Sequence, residues 1–228
     1  MRLIVYVEGV SEEVFVNRSL RPHFLTHGWR NVQAIGVATS LDPGGQRGGL
    51  SNWPAVEADL RQLFKDHAGA DYRFTTLWDF YRTPDRFPGI VAAKAAPAGT
   101  DRGAVVEQAL AAHFSEPRFI PYIQMYEFEA LVLAALPALK SLYSQHAAAL
   151  DALSAACRAI GDFETINDGP ITHPAQRIAD ALPGFLTRKE DDGPIAIRET
   201  GIAELRRWCP RFNRWLAQLE SIPDPVKL

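Results

Sequence analysis

The sequence predicts an α/β fold, with a mostly parallel sheet flanked by helices over residues 1–135 and a helical C-terminal subdomain over 136–228 packed on that core. Three observations predict it. Strand-like runs recur, beginning with the continuous apolar LIVYV at 3–7, the kind of run that a strand buried on both faces needs in place of strict alternation. Amphipathic helical segments separate these runs, and a βαβα order favours parallel pairing through helical crossovers. From Tyr126 onward the patterns are almost entirely helical, punctuated by NDGP, ALPG and DDGP, with no repeat and no low-complexity linker.

Each element has its own signal. After Leu3 to Val7, Ser11 can cap a helix in which Val14, Phe15, Leu20 and Phe24 recur at roughly helical spacing. Val32 to Ala38 reads as a second strand, followed by the glycine-dense LDPGGQRGGLSNW. Asn52 can cap the next helix, where Pro54 is tolerated in the first turn and Val56, Leu60, Leu63 and Phe64 form the apolar stripe. Phe74 to Trp78 is the third strand, and Asp101 begins a helix containing Val105, Val106, Ala109 and Leu110. Arg118 to Met125 is a fourth strand, with Pro121 arguing for an edge position or a local bulge.

Composition narrows the function classes. The 228 residues are 47% hydrophobic and 22% charged, which excludes disordered and fibrous classes. There is no run of about 18 uncharged apolar residues and no signal-peptide pattern, so a cytoplasmic location without membrane association is expected. Cys157 and Cys209 lack metal-type spacing and read as reduced, packed thiols. A net charge of −3 offers no global attraction to a polyanion; nucleic acid would need a local basic surface, a metal or a partner.

The candidate chemistry lies in carboxylates at strand ends. The first strand runs into Glu8 and the third into Asp79. Ligands of open α/β sheets collect outside the carboxyl ends of the strands. Two carboxylates held there repel unless a cation or a proton intervenes, and magnesium uses one or two carboxylates with waters and phosphate oxygens. The alternative is local: Glu8 caps the following helix and Asp79 starts the turn to Thr83-Pro84. Glu127 and Glu129 follow the fourth strand; in a helix they lie about 200° apart, so one at most would face the sheet ends and the other would be a solvated first-turn residue. Glu12 could reach the same cavity or sit on the surface near the helix N-terminus.

Glu8-Gly9 with Glu12, followed by the Asp79 strand end, resembles the Toprim arrangement of a glutamate after the first strand and an acidic motif after a later one. The segments VEGVSEEVF, LWDFYRTPDRFPG, RFIPYIQMYEFEAL, FETINDGPITHPAQRI and CPRFNRWL resemble, in order and over nearly the whole chain, the domain of unknown function 4276 family of small bacterial Toprim-like proteins, related to OLD-type Toprim nucleases. The resemblance implies metal-dependent phosphodiester hydrolysis with Mg2+ or Mn2+, in which Glu8, Glu12, Asp79, Glu127 and Glu129 are the catalytic candidates and Glu8, Asp79 and Glu127 the metal ligands. It further implies a partner ATPase and a role in defence against phage or other foreign DNA. One position departs from the Toprim pattern: the second acidic residue of Asp-x-Asp is Tyr81. Glu127 or Glu129 then substitutes for it, or one metal is bound, or catalysis is lost. A non-catalytic module whose acidic pocket holds a regulatory metal or a partner's basic side chain is the runner-up, and a small-nucleotide phosphohydrolase the third reading.

The remaining motifs could support a substrate. Arg47, among Gly44, Gly45, Gly48 and Gly49, could approach a phosphate or lie in a surface turn. Arg82, Arg86 and Lys94 could grip phosphates or pair with Asp85. His173-Pro174 reads as a turn and helix start. Arg177, Arg188 and Lys189 read as a solvated face, with guidance of a nucleic acid strand as the alternative. In ELRRWCPRFNRWLAQL, Leu205, Trp208, Phe212 and Leu216 follow helical spacing, so this stripe reads as core anchored by Trp208, although aromatics between arginines can also stack bases. With arginines only scattered over an acidic chain, weak nucleic acid binding by the chain alone is expected; homo-oligomerisation is left open.

Overall fold

The computed structural model describes residues 1–37, 49–81, 83–166, 169 and 171–223. Its centre is a five-stranded parallel sheet of β1 (Arg2–Val7), β2 (Asn31–Gly36), β3 (Tyr72–Asp79), β4 (Phe119–Ile120) and β5 (Ile123–Gln124). The order is β2-β1-β3-β4, and β5 continues beside β3 past the point where β4 ends. β1, the first apolar run, lies between two neighbours and pairs Val7 with Gly36 on one side and Leu77 on the other. The single expected fourth strand is two short pieces on either side of Pro121, at the sheet edge, because proline cannot donate to the ladder.

The β1–β2 crossover is α1 (Val10–Phe15), a π-helical turn over Val16–Leu20, and α2 (Arg21–Thr26). Pro22 has no N–H to return to the carbonyl of Arg18, and the wider turn falls just before it. The expected Ser11 cap is not observed: Gly9 is the N-cap, and Ser11 is buried inside the first turn. α3 (Trp53–Asp66) leads to β3, with Asn52 at its N-cap but making no side-chain capping bond, and Val56, Leu60 and Phe64 buried. After β3 come α4 (Ile90–Ala95) and α5 (Arg102–Phe114), where the Asp101 side chain accepts from the Ala104 N–H as expected of a cap.

The C-terminal region is helical: α6 (Glu129–Ala134), α7 (Leu136–Leu142), α8 (Ala147–Ile160), α9 (Pro174–Ala181), α10 (Phe185–Thr200), α11 (Ile202–Trp208) and α12 (Pro210–Glu220). DDGP is not a break, since α10 runs through Gly193 and Pro194. A Cβ on Gly193 would lie 3.2 Å from a methyl of Val132, so the glycine lets α10 approach α6 closely. The stretch ELRRWCPRFNRWLAQL divides at Cys209 between α11 and α12.

The sheet has one apolar layer on each face. Ile4, Tyr6, Phe74 and Trp78 pack with Leu60 of α3 and Val106 of α5, whereas Leu3, Val5, Val7 and Leu77 pack with Phe15, Phe128, Phe212 and Leu216. The helical region thus covers one face of the first strand. Trp215, rather than the expected Trp208, is its anchor: it is buried, stacks on Tyr122 at 4.4 Å and donates from Nε1 to the Thr75 hydroxyl on β3. Trp208 is half-buried against Phe163. Cys157 and Cys209 are buried free thiols. Among the described residues no helix is long and apolar enough to cross a membrane.

Candidate functional site

Glu8 is the first residue beyond β1, and Asp79 is the last of β3. Because Val7 pairs with Leu77, Glu8 is level with Trp78, one residue short of Asp79. The pleat directs Asp79 to the face covered by the helical region, the side of Leu77. Glu8, past the last ladder pair, is released from that alternation, and its Oε2 accepts from the Asp79 backbone N–H at 3.3 Å. The backbone of Leu50 also bonds to its carboxylate. Glu8 therefore bridges strand ends; the helix it was expected to cap takes Gly9 instead, without a side-chain capping bond.

Glu12, one turn into α1, is buried rather than on the surface. Gly9 makes room for it, since a Cβ there would stand 3.1 Å from Glu12 Oε2. Glu129 opens α6 at only 2% exposure, so it is not a solvated first-turn residue. Glu127 precedes the helix, which removes the expected 200° separation: both glutamates lie within electrostatic reach of Asp79. Between the strand and this helix Tyr126 has φ 65°, left-handed backbone rare for an aromatic residue. Its carbonyl accepts from the Tyr81 N–H at 2.7 Å, tying the turn after β3 to the chain leaving β5.

Burial, more than anything else, pushes Glu8 up to about 7 and Glu12 up to about 8, with Glu8 and Glu129 adding repulsion at Glu12. Asp79 is also raised well above the usual carboxylate range, by burial first and then by Glu12, Glu8, Glu129 and Glu127. Glu8 and Asp79 still keep part of their surface open, so the recess is crowded by protein yet reachable by an ion.

Among the described residues, a lysine faces this group. Lys189 of α10 forms a 2.9 Å ion pair with Glu129. Burial alone would lower the Lys189 pKa, but Glu129, Asp79 and Glu127 raise it. Its expected place on a solvated face is therefore corrected, and no spacing rule signals a lysine meeting a glutamate 60 residues earlier in the chain. His173-Pro174 forms the turn and helix start that the sequence predicts. His173 is the N-cap position of α9, and its Nδ1 lies 2.8 Å from Glu127 Oε2, which also accepts from the Ala175 N–H at 3.2 Å. Its ring stacks on Tyr81 at 5.3 Å.

The expected substrate residues divide. Arg47 and Arg82 lie outside the described residues. Arg86 donates to the Ser51 carbonyl rather than pairing with Asp85; Lys94 is the residue that pairs with Asp85, at 2.7 Å, and it also donates to the Thr83 carbonyl. Arg188 is held by Asp192 and Tyr143, and Arg177 donates to the Thr172 carbonyl. A cleft of about 450 Å³ beside Tyr126 is lined by Thr100, Asp101, Glu164, Arg211 and Arg214 among others, and by none of the clustered carboxylates.

The donors in the recess are carboxylate oxygens, the set suited to a hard divalent cation. They fit such an ion electrostatically, since a cation would offset the mutual repulsion that now favours protons. Among the described residues, however, these carboxylates do not bring three ligand atoms within 4.8 Å of one another; an ion would have to draw them inward. No curated protein and no solved structure matches the chain. The sequence model of the family described as Domain of unknown function (DUF4276) matches residues 7–220, and the chain belongs to that family.

Proposed function

We propose that the chain is a metal-dependent phosphodiester hydrolase, a nuclease of Toprim type, with its site in the recess of Glu8, Glu12, Asp79, Glu127 and Glu129. The single observation that carries the reading is the convergence of these carboxylates at the carboxyl edge of a parallel sheet, with Asp79 feeling all four others. Glu8, Asp79 and Glu127 would hold Mg2+ or Mn2+, which when bound supplies Lewis acidity toward a phosphoryl oxygen and a water of lowered pKa. Glu8 and Glu12, displaced to about 7 and about 8, can take up a proton near neutral pH. His173 and the Ala175 N–H orient Glu127, and Lys189 balances Glu129. The Toprim resemblance of VEGVSEEVF and LWDFY supports the reaction class, and it supports a working partner ATPase and a role in defence against foreign DNA.

The test is nicking or degradation of DNA and RNA with Mg2+, with Mn2+ and with chelator, by the wild-type chain and by Glu8→Gln and Asp79→Asn. Each substitution turns a ligand carboxylate into a neutral amide and should lower cleavage by orders of magnitude while the fold persists. A specific observation favours a second reading. Lys189 already places an ammonium against Glu129, as a partner's lysine would in a non-catalytic acidic pocket; full activity of both folded variants would select that reading.

A further inference from the structure

A second constellation lies away from the carboxylate recess, where the first crossover meets the last helix. His23 and His27 stand one turn apart at the end of α2, His27 being its C-cap residue, and Glu220 is the last residue of α12. One ligand atom from each of the three lies within 4.8 Å of the others. The imidazoles are 4.4 Å apart between centroids and inclined by 34°, so both rings look toward the same side of the helix.

The hydrogen bonds prepare the His27 ring for coordination and place the His23 ring against the carboxylate. His27 Nδ1 is 2.8 Å from the His23 backbone carbonyl. A carbonyl can only accept, so Nδ1 carries the proton and Nε2 holds the lone pair, the arrangement that outer partners impose on metal-binding histidines. His23 Nε2 is 2.7 Å from Glu220 Oε1, so without metal a proton bridges nitrogen and carboxylate. In a tetrahedral zinc site with bonds of about 2.0–2.1 Å, two ligands stand roughly 3.3 Å apart; replacing the proton with a metal asks the pair to open by about 0.6 Å. Arg206 donates to the same Glu220 oxygen at 2.6 Å and to Asn213, which fixes the carboxylate plane. Trp29 Nε1 donates to the Leu219 carbonyl at 3.1 Å, holding the two chain segments in register. His23 and Glu220 are half-buried and His27 is exposed, which leaves a solvent side for a fourth ligand.

From this geometry we infer that His23, His27 and Glu220 form a Zn2+ site that clamps the end of α12 to the end of α2. Two imidazoles and one carboxylate suit a borderline transition metal, whereas the all-oxygen recess suits magnesium. The site is independent of the hydrolase reading, as it shares no residue with the carboxylate recess.

The test is titration of the metal-free full-length chain with Co2+ and then Zn2+ in excess Mg2+, which keeps the carboxylate recess out of the readout. One equivalent of Co2+ should give the intense visible absorption of a tetrahedral site with nitrogen ligands, Zn2+ should displace it, and Zn2+ should raise the thermal midpoint by several degrees. His27→Gln alters an exposed ring and should leave the chain folded. It should abolish the band, weaken Zn2+ binding ~tenfold or more, and remove the thermal shift. Glu220→Gln should do the same if it folds; His27→Gln decides the matter if it does not. No intense band in the wild-type chain, or a band and Zn2+ affinity unchanged in His27→Gln, would overturn the assignment.

Discussion

Replacing Glu12 with glutamine should make the metal-free chain more stable above neutral pH and change it little in mild acid. Glu12 is pushed from its ordinary 4.5 up to about 8, chiefly by burial and then by Glu8 and Glu129. The folded state therefore holds a proton that the unfolded chain has released. The associated stability is fully present below about pH 4.5 and is lost as pH rises through about 8. At about 1.4 kcal/mol per pH unit of separation, the loss is about 3 kcal/mol at pH 7 and about 5 kcal/mol above pH 9. That is a large part of the 5–15 kcal/mol, roughly, that holds a typical domain together. Glu8, raised to about 7, adds to the same slope. Urea denaturation in chelator between pH 5 and 9 reads the effect: wild type should weaken steadily, Glu12→Gln should weaken less, and Mg2+ should restore the wild type more at pH 8 than at pH 5. A flat wild-type profile in chelator, or a Gln variant with the wild-type slope, would show that Glu12 ionises without penalty and would refute the argument.

Other outcomes follow from single contacts. Lys189→Met leaves Glu129 buried without its ion pair; it should cost on the order of 3 kcal/mol in chelator, with much of the loss recovered in Mn2+, as chemical denaturation in the two conditions would show. Trp215→Phe keeps the stacking surface on Tyr122 but removes the donor to Thr75; a loss of about 1–2 kcal/mol is expected by the same method. Short DNA and RNA duplexes and single strands should bind the isolated chain weakly, with a shallow salt dependence, because the net charge is −3 and few counterions can be released. Tight binding at physiological salt with a steep slope in a titration series would show that the chain carries its own nucleic acid surface and would remove the electrostatic motive for a partner.

Some features were legible in the sequence because they rest on local chemistry. LIVYV is a strand because it is a continuous apolar segment, the third run because its aromatic and β-branched residues suit a pleated sheet, and Asp101 caps α5 through a bond three residues long. The strand-end positions of Glu8 and Asp79 follow from where those runs stop. What could not be read depends on distant partners. Glu129 looks like an ordinary first-turn glutamate until α10 covers it with Lys189. DDGP has the composition of a break, yet α10 continues because Gly193 fits against Val132. Trp208 and Trp215 are equally apolar, and only tertiary packing, which buries Trp215 against Tyr122 and bonds it to Thr75, distinguishes the anchor. The His23, His27 and Glu220 cluster escapes a reading of the sequence because Glu220 lies 197 residues from His23 in the chain.

The packing of α12 beneath the sheet also constrains when the molecule can become itself. Trp29 reaches the Leu219 carbonyl across 190 residues, and Leu3, Val5 and Val7 share their apolar layer with Phe212 and Leu216. Chains whose core depends on such remote pairings meet the entropy of closing a long loop before the contacts reward it, and they fold slowly. During synthesis, one face of the first strand must wait until Phe212 and Leu216 have been made, leaving an apolar surface exposed to aggregation or to chaperones in the interval. Lys189 also emerges long after the carboxylates it balances, so the acidic recess gains its counter-charge only once α10 has been made.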